Sequence, residues 1–177
     1  MDFVRIGEKL VSRERIIHMI DKALEKRVGG ASQQEVANML GVDRSFVSRL
    51  ETLGEIRKGG KIALIGFPLG NKEELQQVAD EFGVDFCYLL TDEERWRLAD
   101  ESSGADIINE IMRIVALART YDTLIFIGSD MRIRFAEAMV DKQLIPINIG
   151  ESPIKGDRYL DPEELRGIFR NLQDHDA

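Results

Sequence analysis

Between residues 61 and 150, four short apolar runs alternate with stretches of helical periodicity, and this alternation limits the possible folds more than any other feature. The runs are Lys61-Ile62-Ala63-Leu64-Ile65-Gly66-Phe67, Val84 to Leu90, Thr123-Leu124-Ile125-Phe126-Ile127-Gly128 and Leu144-Ile145-Pro146-Ile147-Asn148-Ile149-Gly150. Strands buried on both faces have this near-continuous apolar composition, because each face meets a helix rather than water. Asn71-Lys72-Glu73-Glu74 reads as a capping box that opens a helix carrying Leu75, Val78, Ala79 and Phe82 on one face, with Gly83 at its end. A short helix over 92–100, a long one over 105–121 and another over 132–142 follow. Asp161-Pro162-Glu163-Glu164 then caps a last helix that turns Leu165, Ile168, Phe169 and Leu172 inward. Such a pattern implies right-handed crossovers and a four-stranded parallel sheet: a three-layer α/β domain, Rossmann-like or flavodoxin-like. Pro146 has no N–H for the ladder, which places the fourth strand at an edge.

The N-terminal third follows a helical rule instead. Ser12 can cap a helix to about Arg27, whose Ile16, Ile17, Ile20, Ala23, Leu24 and Val28 fall at spacings of three and four, giving one buried stripe. Gly29-Gly30 stops it. Ser32-Gln33-Gln34-Glu35 is a capping box for a second helix, which ends at Leu40-Gly41, where glycine accepts a left-handed backbone. Asp43 is the expected cap of a third helix, from Arg44 to about Leu53, closed by Gly54. The expected organisation is an all-α head over 1–58 and an α/β body over 59–177. One segment is ambiguous: Gly59-Gly60 suits a two-residue hairpin turn, so 55–66 is either a wing of the head or a linker followed by the first sheet strand. The βα pattern downstream favours the strand.

Charge divides at the same place. The 177-residue chain carries −8, an average that disfavours nucleic acid. Residues 1–61, however, hold 12 Lys/Arg against 9 Asp/Glu, a net of +3, and residues 62–177 hold 12 against 23, a net of −11. A basic head on an acidic body is a reason to seek a polyanion-binding module in the head. No apolar run approaches the ~20 residues of a bilayer helix, so no membrane partner is expected. Met1-Asp2-Phe3-Val4-Arg5 carries an early acid and no apolar signal core, and Cys87 is the only cysteine; both suit the cytoplasm.

The head also contains the most specific motif. Ala37 is a small residue where two steeply crossing helices would touch, and Gly41 sits at the bend. Val36, Leu40, Val42, Val47 and Leu50 occupy the positions that lock one helix onto the next. With these residues at this spacing, Gln34 to Leu50 resembles the helix-turn-helix of bacterial repressors of the Cro and lambda-repressor type. The resemblance implies that the third helix enters the major groove of double-stranded DNA. Arg44, Ser45, Ser48, Arg49 and Thr52 would lie outward on that helix, where arginine can grip guanine and the hydroxyls can meet phosphates. Ser32 and Gln33 would approach a phosphate at the second helix's N-terminus, and Lys58 would add a backbone contact. The chain as a whole is similar to bacterial transcriptional regulators that join such a head to a Rossmann-like body. That wider resemblance implies the architecture but no effector and no catalytic residue.

In open parallel sheets, ligands sit beyond the carboxyl ends of the strands. Gly66, Gly70, Asn71, Thr91, Gly128, Ser129, Asp130, Gly150 and Ser152 therefore form the candidate rim for a small-molecule effector. No Gly-x-Gly-x-x-Gly follows the first run, Glu73 and Glu74 would oppose a phosphate there, and no acidic pair marks a phospho-receiver. His18 and His175 are far apart in sequence, so neither a metal cluster nor a nucleophile–base pair can be proposed, and no cofactor is expected. Cys87, Met112, Met131 and Met139 read as core filling, and Trp96 as a cap over the sheet edge. The residues thus point to a dimeric DNA-binding regulator and to no enzyme. The alternative is a nucleotide- or metabolite-binding body, or an enzyme, with an appended helix-turn-helix interaction module.

Overall fold

The structure, a computed structural model, describes residues 2–56 and 59–173. The chain forms two compact units that divide between Glu55 and Ile56.

The first unit begins with strands, which corrects the all-α expectation for the head. β1 (Phe3–Ile6) and β2 (Lys9–Ser12) pair antiparallel, from Phe3 opposite Ser12 to Ile6 opposite Lys9. The two-residue turn between them starts at Gly7, whose φ of 59° is the backbone that tight hairpins of this length require. Ser12 then accepts a hydrogen bond from the Arg15 amide and opens α1 (Arg13–Val28). The reciprocal cap of Ser32 and Glu35 opens α2 (Gln33–Leu40), and Gly41 turns left-handed at φ 67° before α3 (Arg44–Gly54). Asp43 occupies the N-cap position of α3 but its side chain makes no capping bond, contrary to expectation. Ala23, Val36, Ala37 and Val47 form the buried core, with Ala31, Leu40, Val42 and Leu50 packed against it. The stripe on α1 is buried only at Ala23, while Ile16, Ile17, Leu24 and Val28 are exposed. Two short helices, α2 and α3, do not cover the length of this 16-residue neighbour, so stripe residues near both of its ends stay exposed.

The second unit follows the alternating pattern. Its elements are β3 (Ile62–Gly66), α4 (Lys72–Glu81), β4 (Phe86–Leu89), α5 (Asp92–Glu101), α6 (Gly104–Ala118), β5 (Thr123–Gly128), α7 (Asp130–Met139), β6 (Gln143–Asn148) and α8 (Pro162–Gln173). The strands form one parallel sheet in the order β4-β3-β5-β6, so 62–66 is a sheet strand and not a wing. Pro146 lies in the edge strand opposite Phe126, where its missing N–H faces no further ladder. Alternation along the strands sorts the two cores. Leu64, Ile125 and Ile127 face α4 and α8, meeting Leu75, Val78, Leu165 and Phe169. Ala63, Ile65, Leu124 and Phe126 face the other way, toward Ile133 and Ala136 of α7 and Ala118 of α6. This is a three-layer α/β arrangement.

Several side chains depart from their expected places. Asn71 does not cap α4; its amide is buried and bonds elsewhere. Met112 and Met131 are exposed, so neither fills the core, and Trp96 is exposed beneath the Arg95 guanidinium rather than covering the sheet edge. Cys87 is half-buried, and burial pushes its thiol up to about 11, with Asp80 adding to the shift. A thiol held that high is an inert packing group. Among the described residues, no helix is long and apolar enough to cross a membrane.

Candidate functional site

The helical pair of the head is assembled by size and geometry. Ala37 is fully buried where α2 meets α3, and Val47 is fully buried on the inner side of α3. Fixing Val47 inward directs the opposite side of the helix outward, since neighbours at three and four positions share a face. Ser45, Arg49 and Thr52 are exposed there, Ser48 is half-buried, and Arg44, three positions before Val47, is exposed at the start of the helix. Among the described residues, neither Arg44 nor Arg49 has a carboxylate within ion-pair reach, so both guanidinium groups keep all their donors. The Thr52 hydroxyl donates to the Ser48 carbonyl at 3.0 Å, leaving its lone pairs outward.

Ser32 and Gln33 have internal duties as well. The Ser32 hydroxyl accepts from the Glu35 amide, and the Ser32 amide donates to Glu35 at 2.7 Å. Gln33 is half-buried and its Nε2 donates to Glu51 at 2.7 Å. Glu51 also pairs with Arg27, whose guanidinium in turn reaches the Ala31 carbonyl. One carboxylate therefore ties the end of α1, the start of α2 and the middle of α3. Lys58 lies outside the described residues. Phe46 and Leu53 went unremarked in the sequence, yet both are exposed beside Arg49, lining with Asp43, Ser45 and Leu50 a shallow recess of about 310 Å³. Helical period alone places both on the side of Leu50, four and three positions away, so nothing local signals their exposure.

The Glu51 knot has a pH signature. Hydrogen bonds from Arg27 first and Gln33 second hold the Glu51 carboxyl below its ordinary value of 4.5. A carboxylate with a depressed folded pKa contributes stability above the unfolded value, and that contribution is lost as pH falls through the folded one. Glu51→Gln should therefore lower the thermal midpoint of the head at pH 7. The gap to wild type should close as the pH drops below 4.5. A gap that stays constant with pH, followed by circular dichroism, would remove Glu51 from this role.

At the strand ends of the body, the candidate rim residues are brought together but are engaged with one another. The Ser152 hydroxyl donates to the fully buried Ser129 at 2.6 Å, and the Ser152 amide donates to Asp130 at 2.8 Å. The Asp130 amide donates to the Gly150 carbonyl, and the Asp130 carboxylate pairs with Arg134. These bonds hold the Asp130 carboxyl below its usual range, Ser152 contributing most. Gly66 and Gly128 have no room for a side chain: a Cβ would sit 2.8 Å from Leu69 at the first and 2.8 Å from Phe126 at the second. Thr91 caps α5 reciprocally with Glu94, which pairs with Lys72. Over β3, residues 157–160 cross the strand end. The Gly70 amide donates to Arg158 and the Arg158 amide to Pro68, while Asn71 both donates to the Leu160 carbonyl and accepts from its amide. Part of the space beyond β3 is thus taken up by the chain's own residues 157–160.

Among the described residues, no group of three or more His, Cys, Asp or Glu side chains converges as metal ligands would. Comparison of the chain with protein-family models, with curated proteins and with solved structures gave no match.

Proposed function

We propose that the chain is a sequence-specific DNA-binding transcriptional regulator, working in the cytoplasm as a homodimer, with α3 reading the major groove and the α/β body serving assembly and sensing. The observation that carries this reading is the junction of α2, Gly41 and α3. Its core residues Val36, Ala37 and Val47 leave Arg44, at the start of α3, and Arg49, on the side away from Val47, exposed without internal partners. Unpaired arginines on the outer face of a rigid helix suit bidentate contacts to guanine, and Phe46 beside them suits a thymine methyl. Ser45, Ser48 and Thr52 supply hydroxyls along the same face for phosphates or base edges. Ser32 and Gln33 stand at the N-terminus of α2, whose free amides favour an approaching phosphate. Dimerisation through the body is supported by the apolar groups that α6 and α7 expose, among them Ile108, Met112 and Met131. A two-fold dimer calls for a nearly palindromic operator with half-sites about one helical turn apart.

Selection of genomic fragments with the purified protein, followed by sequencing, should return such a site. On that site Arg49→Ala should weaken binding by about 10- to 100-fold, the equivalent of one bidentate base contact, with an unchanged circular dichroism spectrum. Unchanged affinity would overturn the assignment of α3 as the reading helix.

A further inference from the structure

α6 and α7 do not close over the sheet face that they share. Of α6 only Ala118 is buried, and between it, α7 and the strand residues Ile65, Leu124 and Phe126 lies a cavity of about 290 Å³. Its wall is hydrocarbon with one charged exception, Arg132, in the first turns of α7. The guanidinium of Arg132 stacks over the Phe67 ring at 5.0 Å, and its Nη1 is buried with no acceptor among the described residues. Burial pulls its pKa below the ordinary arginine value, the nearby Arg95 adds to that shift, and Asp92 opposes it. Arg95 and Asp92 pair with each other, so the local sum is one positive charge that belongs to Arg132.

A buried guanidinium N–H without an acceptor is costly, and the groups that relieve it best are anionic oxygens. One uncompensated charge calls for a monoanion rather than a phosphate dianion. The apolar wall calls for a ligand whose remainder is hydrocarbon. At ~30 Å³ for each water-sized non-hydrogen atom, the volume corresponds to roughly ten such atoms. We propose that this cavity binds an amphiphilic carboxylate, a carboxyl group on an apolar chain or ring of about eight carbons, anchored by Arg132. Its tail lies against Ile65, Val115, Phe126 and Met139, and Met139 is flexible enough to fit chains of different shape. The site shares no lining residue with the strand-end rim, although Arg132 borders it at Gly128, and it holds whether or not α3 reads DNA.

Titration calorimetry on the full chain with octanoate and with 1-octanol tests the proposal, since the two share a tail and differ in charge. Octanoate should saturate one site per chain and bind about tenfold or more tighter than octanol, the margin of a charged hydrogen bond. Arg132→Met keeps a long apolar stem on Phe67 and should erase that preference. Val115→Phe fills the cavity and should weaken both ligands while the protein stays folded by thermal melting. Equal affinity for octanoate and octanol, an undiminished preference in Arg132→Met, or no saturable binding would each overturn the site. Absence of binding together with a dimer that dissociates in Ile111→Glu would assign this face to a second copy of the chain instead.

Discussion

Val47→Asp should abolish the proposed DNA binding without altering any of the outward residues assigned to it. Val47 is fully buried, and its neighbours in the core are Ala23, Val36 and Ala37, all apolar. A carboxylate there has neither a cation nor a hydrogen-bond donor, and an uncompensated buried charge costs about 3–5 kcal/mol. A unit of 55 residues has only about 3–8 kcal/mol of stability in total, so the substitution removes most or all of it. The expected result is loss of the helical signal of α1 to α3 and loss of retention on the selected operator. The body should still melt as in the wild type, because its two cores contain no residue of the head. Val47→Ala, which removes apolar bulk but adds no charge, should weaken binding far less. A Val47→Asp protein that keeps operator affinity would show that the helix junction does not present the DNA-binding surface.

Legibility in the sequence tracked the distance over which each residue's partner lies. The capping box of Ser32 and Glu35 and the left-handed Gly41 depend on neighbours within a turn, and both are as the residues imply. β3 and β5 were legible because strands covered on both faces, such as Ile62 to Gly66, leave no polar alternation to confuse the period. The hairpin from Phe3 to Ser12 was not. Each strand has four residues and exposes Ile6 and Leu10, so burial leaves no pattern to read. The site residues divide along the same line. Arg44 and Arg49 are exposed on a helix whose limits are local signals, whereas the tie of Gln33 to Glu51 joins side chains 18 residues apart and carries no local signal. Arg132 shows the limit most clearly. Nothing near it in the chain indicates that α6 stands away from the sheet and leaves a buried guanidinium beside an apolar cavity.

Asn71→Leu is the second substitution with a large expected effect, and it acts on the strand-end rim. The Asn71 side chain is buried; its Nδ2 donates to the Leu160 carbonyl at 2.8 Å and its Oδ1 accepts from the Leu160 amide at 3.2 Å. One amide thus satisfies both backbone groups of a residue 89 positions away, which a hairpin or ladder would otherwise have to do. Leucine has the same number and branching of side-chain heavy atoms but neither a donor nor an acceptor. Two buried backbone groups would be left unpaired at about 1–3 kcal/mol each, or roughly 2–6 kcal/mol in all. For a unit of this size that corresponds to a fall of roughly 6–20 °C in the melting midpoint. The loss should be local before it is global, because 157–160 is held over β3 by this amide and by the Gly70–Arg158 and Arg158–Pro68 bonds. Hydrogen exchange should therefore quicken first at the amides of Gly70, Arg158 and Leu160, while those of β5 stay protected. If Leu160 exchanges as slowly in Asn71→Leu as in the wild type, the segment is held over the strand ends by its apolar packing alone. In that case the rim would be closed by Leu160 and Leu69, both buried in the same core, and polar pairing would have no part in it.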